Sequence, residues 1–181
     1  MTKLIIQIPC YNEEKYVMRC YTFLKSYLTE HKFDYEILFI NDGSTDNTIK
    51  ELWVIQKADT NVKLISYSKN KGKGLAVTVG LRYSKHRIKL ILDCDLSVDI
   101  DELYKINWAW IIKQNVIKGQ RIQTVRQPLY RIFLGKCWKL LIGQATGLYM
   151  DTQNPFAIIN LPQDFYEGLS VKGFARDQSP R

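Results

Sequence analysis

Leu90-Ile91-Leu92-Asp93-Cys94-Asp95-Leu96-Ser97 is an apolar run that ends in two carboxylates separated by one residue. Such a run is typical of a strand in a parallel sheet that is covered on both faces, and open α/β sheets bind ligands at the carboxyl ends of their strands. Two acids there suit a hard divalent cation that also takes phosphate oxygens, as Mg²⁺ does. We therefore predict a metal and phosphate site at Asp93 and Asp95. The simpler alternative is a strand followed by an Asp helix cap.

Three strand, turn and helix units precede this stretch. The predicted strands are Thr2 to Ile8, Tyr35 to Ile40, Val62 to Ser66 and, leading into the two acids, Ile88 to Leu92. Residues with helical apolar spacing follow each of the first three strands. Short strands that alternate with helices indicate parallel pairing and right-handed crossovers, so we predict an α/β sandwich.

Polar or small residues follow each predicted strand, and the ends of parallel strands share one edge of the sheet. Tyr11 can face a base, Asp42 can accept hydrogen bonds from a base or a ribose, and Lys73 can add positive charge beside a nucleotide. Asn12 is expected to cap the first helix. Each of these residues alone is most simply a turn residue. Their order and their common edge favour a nucleotide site.

Composition narrows the class of protein. We expect one domain over residues 1–181, because this length can bury a full core. The four cysteines show no paired or metal-ligand spacing, which favours a reducing, cytosolic setting. We predict no secretory signal, and no apolar run reaches the roughly 18 residues that a membrane span needs.

The net charge of +8 is concentrated in one stretch: residues 103–150 contain eight Lys or Arg and no Asp or Glu. A local basic excess indicates a phosphate-bearing partner. Nucleic acid is disfavoured, since no reader motif is present and the acids at the sheet edge would repel a phosphate backbone. Within this stretch, Pro128 to Ile142 is predicted to be an amphipathic helix with a wide apolar face. We expect Arg126 to Ile142 to dock on an anionic membrane surface, although a helix packed on the sheet is the alternative.

Taken together, the motifs resemble those of family 2 glycosyltransferases with the GT-A fold. The closest likeness is to the polyprenyl-phosphate sugar transferases, such as dolichyl-phosphate mannose and glucose synthases. The segments that carry it are Pro9-Cys10-Tyr11-Asn12-Glu13-Glu14, Asn41 to Thr48, Asn70 to Gly74, Asp93 to Ser97, Gly119-Gln120-Arg121 and Asp151-Thr152-Gln153. The resemblance implies a Rossmann-like, three-layer α/β sandwich with a mostly parallel central sheet. It divides the domain into a nucleotide-sugar half, 1–102, and an acceptor half, 103–181.

The resemblance also implies roles for individual residues. Pro9, Tyr11, Glu13 and Asp42 would line the nucleoside pocket, with Lys73 close to the nucleotide. Asp93 and Asp95 would serve the diphosphate and its Mg²⁺ or Mn²⁺, with Asp95 as the more direct ligand. The expected catalytic residues are Asp95, Asp151, Arg121 and Arg131.

The implied reaction is an inverting transfer of mannose or glucose from GDP-mannose or UDP-glucose to a polyprenyl phosphate. We expect a peripheral enzyme at the cytoplasmic face of a membrane. Two alternatives remain open at this stage. One is a family 2 transferase with a soluble glycan, protein or small-molecule acceptor, and the other is a non-catalytic relative that docks on membranes.

Overall fold

The structure, a computed structural model, describes residues 3–83, 86–96, 116–118, 156–162 and 164. Its elements are β1 (Leu4–Cys10), α1 (Val17–Glu30), β2 (Tyr35–Asp42), α2 (Thr48–Ala58), β3 (Val62–Tyr67), α3 (Lys73–Tyr83), β4 (Ile88–Leu92), β5 (Val116–Lys118) and β6 (Phe156–Asn160). The four strands predicted before residue 93 are confirmed. The helix predicted at Pro128 to Ile142 lies outside the described residues. No helix among those described is long and apolar enough to cross a membrane.

The strands form one sheet in the order β3-β2-β1-β4-β6-β5. β1 pairs in parallel with both β2 and β4, and β2 pairs in parallel with β3. β6 runs antiparallel to β4 and to β5. The prediction of a mostly parallel sheet is thus confirmed. Because β2 and β4 lie on opposite sides of β1, the chain reverses its winding direction between β1 and β4, which opens a crevice at the carboxyl ends of these strands.

Helices cover the sheet on both faces. Leu4, Ile6 and Ile8 of β1 pack with α1 and α2, whereas Ile5 packs with α3. This alternation follows from the two-residue period of a strand. Each fully buried Leu or Ile contributes about 2 kcal/mol relative to an exposed one, so the two covered faces hold the strand ends firmly in place.

The first helix begins later than its sequence signals indicate. Asn12 was predicted to be its cap, but α1 begins at Val17, after Tyr16, and has no side-chain cap. Asn12 instead has a left-handed backbone, with φ of 57°, and its side-chain oxygen accepts a hydrogen bond from the Thr45 amide at 2.8 Å. The cap prediction is therefore wrong, because a partner from a distant loop takes the asparagine side chain.

A buried carboxylate joins α1 to the end of α2. Asp59 accepts a hydrogen bond from the Tyr21 hydroxyl at 3.0 Å and forms an ion pair with Lys25 at 3.0 Å. Its other oxygen accepts from the Asn61 amide at 2.9 Å. Burial raises the pKa of Asp59, but the hydrogen bonds from Asn61, Lys25 and Tyr21 outweigh burial and leave the pKa below its ordinary value.

We expect Asp59→Asn to lower the free energy of unfolding at neutral pH by about 1.5–3 kcal/mol, the usual range for hydrogen bonds to a charged group. Since the folded pKa of Asp59 lies below the unfolded value of about 3.9, this stabilisation is complete above that pH and is lost as the pH falls through the folded pKa. Urea unfolding of both proteins across the acid range measures the difference. Asp34→Asn, at an exposed carboxylate, is the matched control. A difference that persists unchanged in strong acid would contradict the assignment.

Candidate functional site

The loops that follow β1, β2 and β4 lie side by side, because these strands are neighbours in the sheet and run in the same direction. This edge carries seven of the ten residues selected from the sequence: Pro9, Tyr11, Glu13, Asp42, Lys73, Asp93 and Asp95. The other three, Arg121, Arg131 and Asp151, lie outside the described residues. These seven residues therefore lie at one edge of the sheet, and their contacts with a nucleotide sugar stay a prediction.

The two acids after β4 belong to a tight turn whose middle residue is buried. Leu90, Leu92 and Cys94 face the core beneath α1, so the alternation of the strand continues through Cys94. Asp93 and Asp95 consequently lie away from that core, and Asp95 is exposed. The Leu96 amide closes the turn on the Asp93 carbonyl at 3.2 Å, and Leu96 has a left-handed φ of 51°. The spacing of one residue therefore places both acids on the side that faces away from the core.

Lys73 lies against the first of these acids. Its ammonium group donates a hydrogen bond to Asp93 at 2.5 Å, although both side chains remain accessible, with 60% and 35% of their surface exposed. Lys73 is also the first residue of α3, where the partial positive charge of the helix dipole adds to its own. A phosphate group bound here would contact the Lys73 ammonium group, which Asp93 already holds in position.

Asp42 has structural partners that the sequence did not reveal. It is only 2% exposed, and its two oxygens accept hydrogen bonds from the Lys71 and Gly72 amides, each at 2.8 Å. Next to it, Gly43 has φ of 67°, and a Cβ there would lie 2.3 Å from the carbonyl carbon of Lys69. Asp42 and Gly43 therefore hold the loop that leads into α3 and so position Lys73. The predicted contact of Asp42 with a nucleoside remains a prediction.

The loop after β1 is joined to the loop after β2 by hydrogen bonds to backbone amides. The Glu13 amide donates to the Thr48 hydroxyl at 2.8 Å, and the Glu14 amide donates to Asp46 at 3.2 Å. In return, Glu14 accepts from the Asn47 amide at 3.0 Å. Sequence reasoning missed these contacts, since nothing in the order of the residues indicates which polar groups meet across the two loops.

Beside this joined pair of loops, Tyr11 is 45% exposed, and its ring lies on the accessible surface of the site. Pro9 is half-buried in β1 opposite Ile40. Both positions are compatible with the nucleoside contacts that the resemblance implies.

Negative charge accumulates at the crevice between β1 and β4. Burial, followed by the charges of Cys94, Asp95 and Asp93, raises the pKa of Glu13 from its ordinary value to about 7. Such a shift means that ionising Glu13 costs free energy in the absence of a cation, because the group is partly buried and lies near other negative charges. Perturbed carboxylates in a crevice are a mark of functional sites.

The donor set at this edge fits a divalent cation that is shared with a phosphate ligand. Among the described residues, no group of three or more His, Cys, Asp or Glu side chains is arranged to hold a metal ion alone. Asp95, with Asp93 beside it, would supply the one or two carboxylates that Mg²⁺ or Mn²⁺ retains when phosphate oxygens complete its coordination.

Three buried thiols lie directly beneath the turn. Cys10, Cys20 and Cys94 all belong to the core cluster on the α1 face. Interaction with Cys10 and Cys20 lowers the pKa of the Cys94 thiol, whereas interaction with Cys94, followed by burial, raises the pKa values of the other two. The sequence showed no paired spacing among these cysteines, because the strand register and a helix bring them together.

We expect Glu13→Gln to change how stability depends on pH. In metal-free buffer the folded pKa of Glu13 is about 7, above the unfolded value of about 4.3. The folded state then binds the extra proton, so wild-type stability falls as the pH rises between these two values. Urea unfolding with a chelator should show the variant gaining stability over the wild type across that window. Glu30→Gln, at an exposed position on α1, should show no such gain. A variant that follows the wild type at every pH would exclude the charge cluster as the cause.

Comparisons with known proteins agree with this geometry. The family model described as Glycosyl transferase family 2 matches residues 5–154. An uncharacterised glycosyltransferase of Synechocystis sp. is 28% identical over 179 residues, which cover 92% of this chain and 56% of that protein. A dolichyl-phosphate beta-glucosyltransferase of Trichomonas vaginalis is 31% identical over 169 residues, with coverage of 83% and 50%. The chain thus spans about half the length of these curated relatives.

The solved structures show the same fold. A mannosyltransferase from Pyrobaculum calidifontis, solved in complex with GDP-Man and Mn²⁺, superposes with a TM-score of 0.57 at 17% sequence identity, covering 88% of this chain and 44% of that one. The family match, which spans most of the chain, and this superposition lead to the same conclusion. The chain belongs to glycosyltransferase family 2 and has the GT-A fold.

Proposed function

We propose that the chain transfers a hexose, with inversion, from a nucleoside diphosphate sugar to a polyprenyl phosphate. The observation that carries the proposal is the turn of Asp93 and Asp95 at the carboxyl edge, with Lys73 paired to the first acid at 2.5 Å. This arrangement offers both signs of charge to a diphosphate. The relative named dolichyl-phosphate beta-glucosyltransferase, at 31% identity, supports a lipid phosphate as the acceptor.

In the nucleotide-sugar half, residues 1–102, the proposal gives a role to each described site residue. Tyr11, Glu13 and Asp42, together with Pro9, would contact the nucleoside, and Lys73 would contact the diphosphate. Asp95 would be the direct ligand of Mg²⁺ or Mn²⁺, and the cation would neutralise charge on the leaving nucleoside diphosphate. The mannosyltransferase of similar fold was solved with GDP-Man and Mn²⁺, which supports GDP-mannose as one candidate donor beside UDP-glucose.

In the acceptor half, the basic stretch 103–150 would bind phosphate. A lipid phosphate is already an anion at neutral pH, so it needs cations to position it more than it needs a general base. Arg121 and Arg131 would bind this phosphate or that of the donor, and Asp151 would complete the site. Arg126 to Ile142 would rest on an anionic membrane at its cytoplasmic face, where each Lys or Arg contributes about 1 kcal/mol.

We expect Asp95→Asn to abolish metal-dependent binding of the nucleoside diphosphate sugar while the protein stays folded. The physical reason is the loss of a carboxylate oxygen that a hard cation requires. Calorimetric titration of the donor with and without Mn²⁺ measures the effect, and circular dichroism checks the fold. Asp34→Asn, which removes an exposed carboxylate just before β2, should bind like the wild type. Unchanged metal-dependent binding by a folded Asp95→Asn protein would refute the metal assignment.

The transferase assignment is tested with a panel of radiolabelled nucleoside diphosphate hexoses. We expect one of them to label polyprenyl phosphate in anionic vesicles, and we expect the vesicle association to weaken as ionic strength rises, because salt screens the basic stretch. Neutral vesicles with the same lipid acceptor are the matched control. Labelling of soluble acceptors alone would indicate the other branch of the family. A folded protein that binds a donor but neither transfers nor hydrolyses it would be a non-catalytic relative.

A further inference from the structure

The three thiols beneath the Asp93 turn are brought together by the fold. The register of β1 with β4 pairs Leu4 with Ile88 and Gln7 with Ile91. The same step, continued for three more residues past the end of β4 at Leu92, sets Cys94 of the turn level with Cys10, the last residue of β1. Both side chains face α1, whose buried Cys20 belongs to the same cluster. All three are free thiols.

The spacing of neighbouring strands is of the size that a disulfide requires. Neighbouring strands lie about 4.8 Å apart, and bridged cysteines have Cα atoms about 4.4–6.8 Å apart. Cys94 interacts with both Cys10 and Cys20 strongly enough to lower its own pKa, and all three thiols belong to one buried cluster. Formation of the bond requires the turn to bring the Cys94 sulfur onto one of the other two.

Of the three thiols, Cys94 is the one nearest to a route from solvent. It is 3% exposed, compared with 1% for Cys10 and none for Cys20. Its two neighbours in the chain, Asp93 and Asp95, are partly exposed and exposed. A backbone hydrogen bond from the Leu96 amide to the Asp93 carbonyl closes the turn. Local opening of such a turn costs much less than global unfolding and would admit a small oxidant.

We propose that Cys94 is a reversible oxidation site, with Cys10 or Cys20 as its partner, and that hydrogen peroxide is the oxidant. In the first step the Cys94 sulfur attacks the peroxide, the O–O bond breaks, and a sulfenic acid and water form. In the second step the partner thiol attacks that sulfur, the S–O bond breaks, and a disulfide and a second water form. The two thiols lose two protons and two electrons, which the peroxide takes up.

Oxidation would act on the site through the turn. A disulfide sets its Cβ atoms about 3.8 Å apart, closer than the side chains of neighbouring strands, so the end of β4 is drawn toward β1 or toward α1. Asp93 and Asp95 lie on either side of the residue that moves, and the Lys73 contact at 2.5 Å depends on the position of Asp93. Oxidised protein would therefore bind the metal and the diphosphate less well. This consequence rests on the proposed function, whereas the disulfide itself does not.

The test treats the reduced full-length chain with hydrogen peroxide, removes the oxidant with catalase, blocks the remaining thiols and maps the peptides by mass spectrometry. We expect a disulfide peptide that joins Cys94 to Cys10 or Cys20 and that dithiothreitol reverses. Affinity for nucleoside diphosphate and Mn²⁺ should fall about tenfold to a hundredfold on oxidation, the range that follows disturbance of outer-shell partners of a metal, and should recover on reduction. Recovery of Cys94 as a free thiol, while Cys137 is oxidised, would overturn the proposal.

Two variants separate the possible causes. Cys137→Ala should respond to peroxide like the wild type. The double variant Cys10→Ala with Cys20→Ala removes both partners, so the same treatment should leave Cys94 as a sulfenic acid without a disulfide, and a Cys94 disulfide that still forms in that variant would overturn the proposal. Should the double variant fail to fold, the mapped disulfide of the wild type decides the matter without it. If the reduced wild type binds no nucleoside diphosphate but still forms the reversible disulfide, the proposed function fails and the oxidation site stands.

Discussion

The parallel pairing of β1 with β4 is the constraint on which the rest of the site depends. Through this register, the ends of two strands that are more than eighty residues apart in the chain lie side by side. The alternation of strand side chains then sends Cys94 into the core and leaves Asp93 and Asp95 at the edge. A shift of one residue would exchange these positions, burying the acids and exposing the thiol. The apolar faces on both sides of the sheet prevent that shift.

The loops at this edge are rigid because their polar groups bind one another. Asp42 holds two amides of the loop before α3, and Glu14 and Asn12 hold amides of the loop after β2. These bonds hold the site in shape before any ligand arrives, which lowers the free-energy cost of organising it on binding. The accumulated carboxylates have the opposite effect, since they raise the pKa of Glu13. Hydrogen bonds therefore hold the site in shape, while repulsion among its carboxylates raises its free energy. A bound cation would relieve that repulsion.

Sequence patterns predicted the site to the extent that local rules apply. The position of Asp93 and Asp95 at a strand end follows from an apolar run that stops abruptly, and the shared edge follows from alternating strands and helices. The prediction that Asn12 caps the first helix is wrong, because capping rules describe what a side chain does when no distant partner competes for it. The anchoring role of Asp42 was invisible for a related reason: its partners lie about thirty residues away and are backbone amides, which every residue possesses.

The sequence by itself determined the α/β class, the strand positions within one or two residues, and the family, because these depend on periodicity and on short motifs that are read along the chain. Only the tertiary structure decided which side chains meet: Lys73 with Asp93, Tyr21 with Asp59, and Cys94 with the thiols of two other elements. Such contacts are set by strand register and by the seating of helices on the sheet. Both arise from the packing of the whole core, and no single segment of sequence carries that information.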